Sequence, residues 1–268
     1  MSDDLPGILR GFRDVDAENR AQDFAAYLQG VAAQMALEKT AMQDLLEPSI
    51  GQRLLDVGCG VGDDVRALAG RVAPTGTVVG VDVSTSMIDQ ARSRNAGPGI
   101  EFHVADAHAL PFPAHGFDAA RTERTLQHVE SPADVLAEMI RVVRPGGLLT
   151  ASEPDWGTLA VDADDRLATR EVVQAISENH IRNGWIGRQL CGHFVRLGLE
   201  DIEVHPVTLV LRSFTTANQL LGLSEVATPQ WLEELHQRDA QGHFFAAVTG
   251  FTVKGRCPPG DQGRPSAR

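Results

Sequence analysis

The sequence predicts an α/β protein built on an open, doubly wound, mostly parallel β-sheet, and three observations predict it. Short apolar runs alternate with helical patterns from residue 53 to residue 155, the order that crossover-connected parallel strands require. Several runs, "TVVGV" and "LLTA" among them, lack polar alternation, as strands covered on both faces do. The first run also passes directly into a glycine-rich turn, "LLDVGCGVGDD", the way an α/β protein begins a nucleotide site.

Each element follows from its pattern. Residues 17–46 read as an amphipathic helical lead-in, because Phe24, Tyr27, Leu28, Val31, Met35, Met42 and Leu46 fall mostly at three- and four-residue spacings. Then come "RLLDVG" as a strand, 63–72 as a helix, "TVVGVDV" as a strand, 85–95 as a helix, and "IEFHVAD" and "FDAARTE" as strands. A helix over 132–144 and the strand "LLTASEP" complete this part, with Pro145, Gly146 and Gly147 forming the turn between them. Past residue 155 the pattern changes. Residues 164–183 and "IGRQLCGHFVRLG" read as helices, "DIEVHPVTLVLRSF" as a strand with alternating faces, 216–240 as two helical pieces, and "FFAAVTGFTVKG" as a last strand. Two late strands around a helical insert predict an antiparallel pair at the edge of the sheet. The expected organisation is one domain over 1–255: a helical lid at 17–46, a core at 50–155, and insertions with edge strands at 156–240. Residues 256–268, rich in Pro, Gly and charge, are expected to be disordered.

Composition narrows the function. A chain of 268 residues with 43% hydrophobic content can bury a sizeable core. Its net charge of −12 and the lack of a Lys/Arg cluster leave no footprint for a phosphate backbone, so nucleic acid is not expected as a partner. No run reaches the roughly 18 apolar residues that span a bilayer, and "MSDDLPGILRGF" lacks the layout of a signal peptide, so a cytoplasmic protein is expected. Cys59, Cys191 and Cys257 are too scattered for a disulfide framework or a zinc site, and no Asp, Asn and Glu cluster argues for another metal. A small-molecule substrate is the expected partner, with a homodimer left open.

The glycine loop is the informative motif. A dinucleotide fold uses G-x-G-x-x-G to bring backbone and helix N-terminus to a pyrophosphate. Here Gly58, Gly60 and Gly62 form G-x-G-x-G, and Asp56, Asp63 and Asp64 beside them would repel a phosphate bridge. A cofactor with an adenosine, a bare chain and a cationic end fits instead, which is S-adenosylmethionine. Asp82 ends the second strand, where a carboxylate can accept both ribose hydroxyls, and Asp106 ends the third.

In these blocks the chain resembles the class I S-adenosylmethionine-dependent methyltransferases, of the small-molecule branch that includes ubiquinone and menaquinone methylases, closely over residues 50–155 and in outline beyond. The resemblance implies a Rossmann-like seven-stranded sheet with an antiparallel C-terminal edge strand. It further implies that Asp56, Gly58, Cys59 and Gly60 line the methionine portion, and that Asp82 takes the ribose. Val83 and Met87 would wall the adenine, Asp106 and the Ala107 backbone would meet its edge, and the Thr122 carbonyl would meet the methionyl ammonium. "ARTERTLQHV" departs from many relatives in its charges: Arg124 can reach the methionyl carboxylate or pair with Glu123.

Methyl transfer is an in-line displacement, for which the protein supplies geometry and, where needed, a base. His128, just past the fourth strand, is the expected base, with Asp155 in "SEPDWG" orienting its imidazole, or else His128 packs against the cofactor and Asp155 caps the next segment. Tyr27, Trp156, His180, Trp185 and His193 are the candidate acceptor lining, and two of the chain's three tryptophans among them suit an apolar or aromatic acceptor. His103 and His205 read as structural. The leading reading is O- or C-methylation of a lipid quinone or specialised metabolite. N-methylation, with Asp155, Glu153 and Glu123 holding an ammonium, and a non-catalytic scaffold are the alternatives.

Overall fold

A computed structural model describes Asp16, Tyr27, Gly30, residues 34–94 and residues 97–258. Half of the predicted 17–46 helix lies outside those residues; its described end forms α1 (Ala36–Asp44). The chain then alternates as the pattern requires. β1 (Arg53–Val57) leads to α2 (Asp63–Val72), β2 (Thr77–Asp82) to α3 (Thr85–Arg94), and β3 (Ile100–Val104) to β4 (Phe117–Glu123). α4 (Pro132–Val142) runs directly into β5 (Val143–Pro154), which carries Pro145, Gly146 and Gly147 inside its own start.

Five strands form the order β3-β2-β1-β4-β5, all parallel. The reversal of strand order between β1 and β4 leaves a crevice at their carboxyl ends, where open α/β sheets bind ligands. Neighbouring leucines show why these runs are apolar throughout: Leu54 packs into one core, with Val65, Leu68 and Ile88, and Leu55 into the opposite one, with Leu126, Leu136 and Phe194. Gly80 in β2 has no space for a side chain, since a Cβ there would lie 2.8 Å from Cys59 Sγ and 2.9 Å from Phe102 and Val65.

Past β5 the chain adds a short turn at Trp156–Thr158, a two-residue strand β6 (Ala160–Val161), α5 (Arg166–Gln174) with a wider π turn at Ala175–His180, and α6 (Ile186–Arg196). β7 (Glu200–Leu211), α7 (Phe214–Leu221), α8 (Pro229–Ala240) and β8 (Ala246–Arg256) follow. The expected antiparallel pair is present at the end of the sheet: β8 runs between β5 and β7, antiparallel to both, and β6 pairs with one end of β8 as an eighth strand. β8 extends to Arg256, and Cys257 is buried with its N–H on Gly147 O, so order continues past the expected start of the tail, whose residues 259–268 lie outside the described ones. A further core, containing Tyr27, Trp156, Phe214, Trp231 and Phe244, packs these later elements against the sheet's carboxyl end. No helix among the described residues is long and apolar enough to cross a membrane.

Candidate functional site

The glycine loop turns at the carboxyl end of β1 with Gly58, Gly60 and Gly62 all in the left-handed region, and Gly62 caps α2. Gly58 cannot be replaced without movement: its φ is 75°, and a Cβ there would sit 1.9 Å from Thr125 Oγ1. Asp82 closes the loop from the neighbouring strand. Its carboxylate accepts Gly60 N–H at 2.9 Å and Ser84 N–H at 3.0 Å, and burial pushes it above the ordinary carboxylate range. Beside it Val83 is 70% exposed, an apolar side chain open at the rim, while Met87 is buried beneath. A half-buried carboxylate next to an uncovered apolar wall and a close-approach backbone suits the adenosine of S-adenosylmethionine. Asp16 anchors the same corner, accepting Thr85 N–H at 2.8 Å and Ser84 Oγ–H at 2.8 Å.

Asp106 is mainly exposed and takes both the backbone N–H and the ring Nδ1 of His108, at 2.9 and 2.7 Å, which hold its carboxyl below the usual range. Ala107 follows it in the same turn. Thr122 sits inside the β-ladder, between Val57 and Ala151, and its hydroxyl donates to Val57 O at 3.0 Å. The Cys59 thiol is held well above its ordinary pKa by burial and lies against Gly60 O.

The acids around the loop are not free to welcome a cation. Arg121, 3% exposed, reaches Asp56 and Asp64 at 3.2 Å each and contacts Glu123 more closely still. Lys39 from α1 bridges Asp64 at 2.6 Å and Glu123 at 2.9 Å, and Gln43 donates to Asp64 at 2.6 Å. Three carboxylates thus share two cations, one carboxylate in excess. Burial raises the Asp56 carboxyl against the pull of Arg121; Asp64, buried as well, is held well below the usual range by Arg121 and Lys39. The expectation that Asp56 and Asp64 offer charge to the ligand is corrected: internal cations occupy them, and Asp63 alone is turned outward, toward Arg66.

Next to this cluster, at the carboxyl ends of β4 and β5, lies a cavity of about 540 Å³, counting its open mouth. Tyr27, Met35 and Met42 cover it from the N-terminal side, and Leu209, Leu220 and Val248 wall it from β7, α7 and β8. Its polar groups are few. Arg124, with φ of 55°, holds a strained backbone at the exit of β4 and donates to Tyr27 Oη at 2.6 Å; it pairs with Tyr27 rather than Glu123. Tyr27 Oη donates in turn to Leu220 O. Glu153, 1% exposed, accepts Thr125 N–H at 2.8 Å and Leu126 N–H at 2.6 Å through Oε1, while Oε2 is buried with no hydrogen-bond partner among the described residues. Burial raises its carboxyl to about 8.

Of the expected acceptor residues, Tyr27 and Trp156 line the cavity, and Trp156 Nε1–H donates to Gln127 Oε1 at 2.8 Å. His180, Trp185 and His193 do not. The His180 ring meets Ala175 O within its own π turn, Trp185 is partly exposed beneath the Arg188 guanidinium, and His193 lies half-buried on α6. Asp155 is corrected more sharply. Both of its oxygens are committed to Arg188, and Oδ1 also accepts Gly157 N–H, so it caps the turn at Trp156 instead of serving an imidazole. His128 is half-buried in the loop after β4, its N–H on Thr125 O, and is not among the cavity's lining residues. Lys39, Arg188 and the apolar wall from β7 and β8 carried no local motif. Among the described residues no group of His, Cys, Asp and Glu could hold a metal ion.

Comparison with known proteins agrees with this geometry. Residues 55–151 match the family model described as a methyltransferase domain. The chain is 39% identical over 258 residues to an uncharacterized 37.1 kDa protein of transposon TN4556 from Streptomyces fradiae, covering 90% of this chain and 74% of that one. It is 34% identical over 163 residues to the ubiquinone/menaquinone biosynthesis C-methyltransferase UbiE of Ectopseudomonas mendocina, covering 53% of this chain and only 62% of that relative's length. Among solved structures, phosphoethanolamine N-methyltransferase 2 of Haemonchus contortus, in complex with S-adenosyl-L-methionine, superposes with a TM-score of 0.60 at 18% identity, covering 97% of this chain and 61% of that one. At that identity the likeness is one of fold.

Asp82→Ala is expected to weaken S-adenosylhomocysteine binding by about tenfold or more in calorimetry, since a hydrogen bond to a charged acceptor is worth about 1.5–3 kcal/mol. An unchanged affinity in a folded variant would remove Asp82 from the cofactor. A second outcome concerns stability. The folded Glu153 carboxyl stays neutral up to about pH 8 while the unfolded one ionises near 4.5, so wild-type stability falls as pH rises through that window. Glu153→Gln lacks that slope, and denaturant unfolding should favour it over wild type more at about pH 9 than at about pH 5. An equal difference at the two pH values would contradict a neutral buried acid.

Proposed function

This chain belongs to the class I S-adenosylmethionine-dependent methyltransferases, and on that premise we propose that it methylates an oxygen or an acidic carbon of a small, mainly apolar acceptor. The observation that carries the proposal is the cavity at the carboxyl ends of β4 and β5, walled by Tyr27, Met42, Trp156, Leu209 and Leu220, whose lining residue Glu123 is joined through Arg121 to Asp56 and Asp64 on either side of the glycine loop. S-adenosylmethionine brings a methyl carbon made electrophilic by its sulfonium. Everything else falls to the chain. Asp82 accepts the ribose hydroxyls, Val83 and Met87 support the adenine, Asp106 and Ala107 meet its edge, and Gly58, Gly60, Cys59 and the Thr122 carbonyl flank the methionyl end.

The acceptor's position is set by shape, because the walls are apolar and hold an aromatic or quinone-like ring through area and little else. Trp156, fixed by its hydrogen bond to Gln127, and Tyr27, fixed between Arg124 and Leu220, give that ring rigid neighbours. Exclusion of water and alignment of acceptor with donor supply much of the rate in such a displacement. Methylation of an amine is not favoured. Of the acids that would hold an ammonium, Asp155 is bound to Arg188, Glu123 to Arg121 and Lys39, and Glu153 is kept neutral by burial.

An assay for S-adenosylhomocysteine release against phenols, quinols, acidic carbons and amines tests the reading, with turnover expected in the first three classes and not in the amines. Leu209→Trp, which fills the cavity from its outer wall, should lower kcat/KM for the acceptor so found by about tenfold while S-adenosylhomocysteine affinity stays within about threefold. Unchanged acceptor kinetics in that variant would move the acceptor out of this cavity.

A further inference from the structure

We propose that Glu153 binds the acceptor directly and accepts its proton, and that the acceptor is a phenol or an enol presented to the cavity through its hydroxyl. The inference rests on the cavity being the acceptor site. Within it, Glu153 is the buried acid with a hydrogen-bonding position left over: Oε1 is fixed by the N–H groups of Thr125 and Leu126, and Oε2 is buried and unpartnered among the described residues. A buried oxygen without a partner costs free energy unless a ligand supplies one. The two backbone donors lock the carboxyl group's orientation, so Oε2 keeps one fixed place at the end of β5.

The groups around Glu153 decide how it titrates. From the exit of β4 come the backbone N–H groups of Leu126, Thr125 and Gln127 and the Arg124 guanidinium, all of which favour its ionised form, and Glu123, already held by Arg121 and Lys39. Tyr27 faces the cavity from the N-terminal segment, and Asp155 with Arg188 of α6 lies beyond Pro154. β7, α7 and β8 contribute only Val207, Leu209, Leu220, Leu221, Val248 and Gly250, none of which titrates. Desolvation therefore dominates, and the group holds its proton up to about pH 8. That basicity lies closer to a phenol's or enol's own than an ordinary carboxylate's does, which favours proton transfer between them.

The step balances. As the acceptor's oxygen, or the carbon conjugated to it, bonds to the methyl carbon, the methyl–sulfur bond breaks and its electron pair stays on sulfur. The hydroxyl proton passes to Oε2 of the ionised fraction of Glu153, which grows as pH rises toward about 8, and leaves a neutral carboxylic acid that returns the proton to water when product departs. Arg124 is placed to stabilise negative charge that develops on the oxygen before transfer.

Proton-linked calorimetry on the full chain saturated with S-adenosylhomocysteine, using 4-nitrophenol as the probe, tests this. At about pH 9 both the probe and Glu153 are mainly ionised, so they can share a hydrogen bond only if one proton is taken up. The expected result is uptake approaching one proton per bound probe in wild type, none in Glu153→Gln, and binding by Glu153→Gln no weaker than wild type at that pH. Absence of uptake in wild type, equal uptake in Glu153→Gln, or no probe binding at all would overturn the assignment. Binding of S-adenosylhomocysteine, measured in the same titrations, keeps the two readings apart. If it is retained while the probe fails, only the Glu153 assignment falls; if it is lost in wild type, the cofactor-site reading falls with it.

Discussion

Arg121 is the interaction on which the site's geometry depends. One guanidinium, buried at the middle of the sheet, reaches Asp56 on β1, Asp64 on α2 and Glu123 at the end of β4. Lys39 then draws α1 into the same cluster. Both strands of the topological switch point, the helix that follows the glycine loop and the described end of the N-terminal helical segment are thereby tied together directly below the crevice. Burial makes this arrangement consequential. A buried charge left without its partner costs far more than a surface one, so the cluster enforces a single mutual placement of four elements.

That placement divides the site into two compartments of different chemistry. On one side, Asp82 and the glycine loop offer hydrogen-bonding backbone and a half-buried carboxylate beside an exposed valine. On the other, a cavity with apolar walls surrounds an acid that burial keeps neutral. Asp56, Asp64 and Glu123 are engaged by the internal cations Arg121 and Lys39, and Asp155 by Arg188, so of the acids at the cavity only Glu153 has no cation partner among the described residues. Glu153, 30 residues from Glu123 in sequence, has no described cation at hydrogen-bonding distance, and burial makes its charged form the less stable one against the backbone N–H groups that favour it.

Much of the fold was legible because it is written locally. The apolar runs at 53–57 and 77–82 report strands of the sheet, and the helical spacings of 63–72 and 85–95 match the observed elements almost to the residue. The place of β8 between β5 and β7 was not legible, since pairing partners about a hundred residues apart, as in β5 and β8, leave no periodic trace. In the site, Asp82 could be found from its position at a strand end. The charges of Asp56 and Asp64 could be seen but not their partners, because Arg121 and Lys39 meet them only in three dimensions. Asp155 misled for a related reason: an acid after a strand reads equally as a catalytic partner or as a cap, and Arg188, 33 residues on, settles it as a cap. Glu153 stood in plain view as one acid among several; Asp56 and Asp155 are buried as well, and only the absence of a cation among the described residues and the unpartnered Oε2 separate it from them.

The account's central claim is that the buried Arg121 cluster builds the cofactor crevice. Arg121→Met tests it most directly, with unfolding free energy and S-adenosylhomocysteine affinity measured on the same protein. Stripping the guanidinium leaves three carboxylates around one lysine, so stability should drop by about 3–5 kcal/mol and the affinity should weaken with it. A variant that stays within about 1 kcal/mol of wild type and binds S-adenosylhomocysteine equally well would contradict the claim.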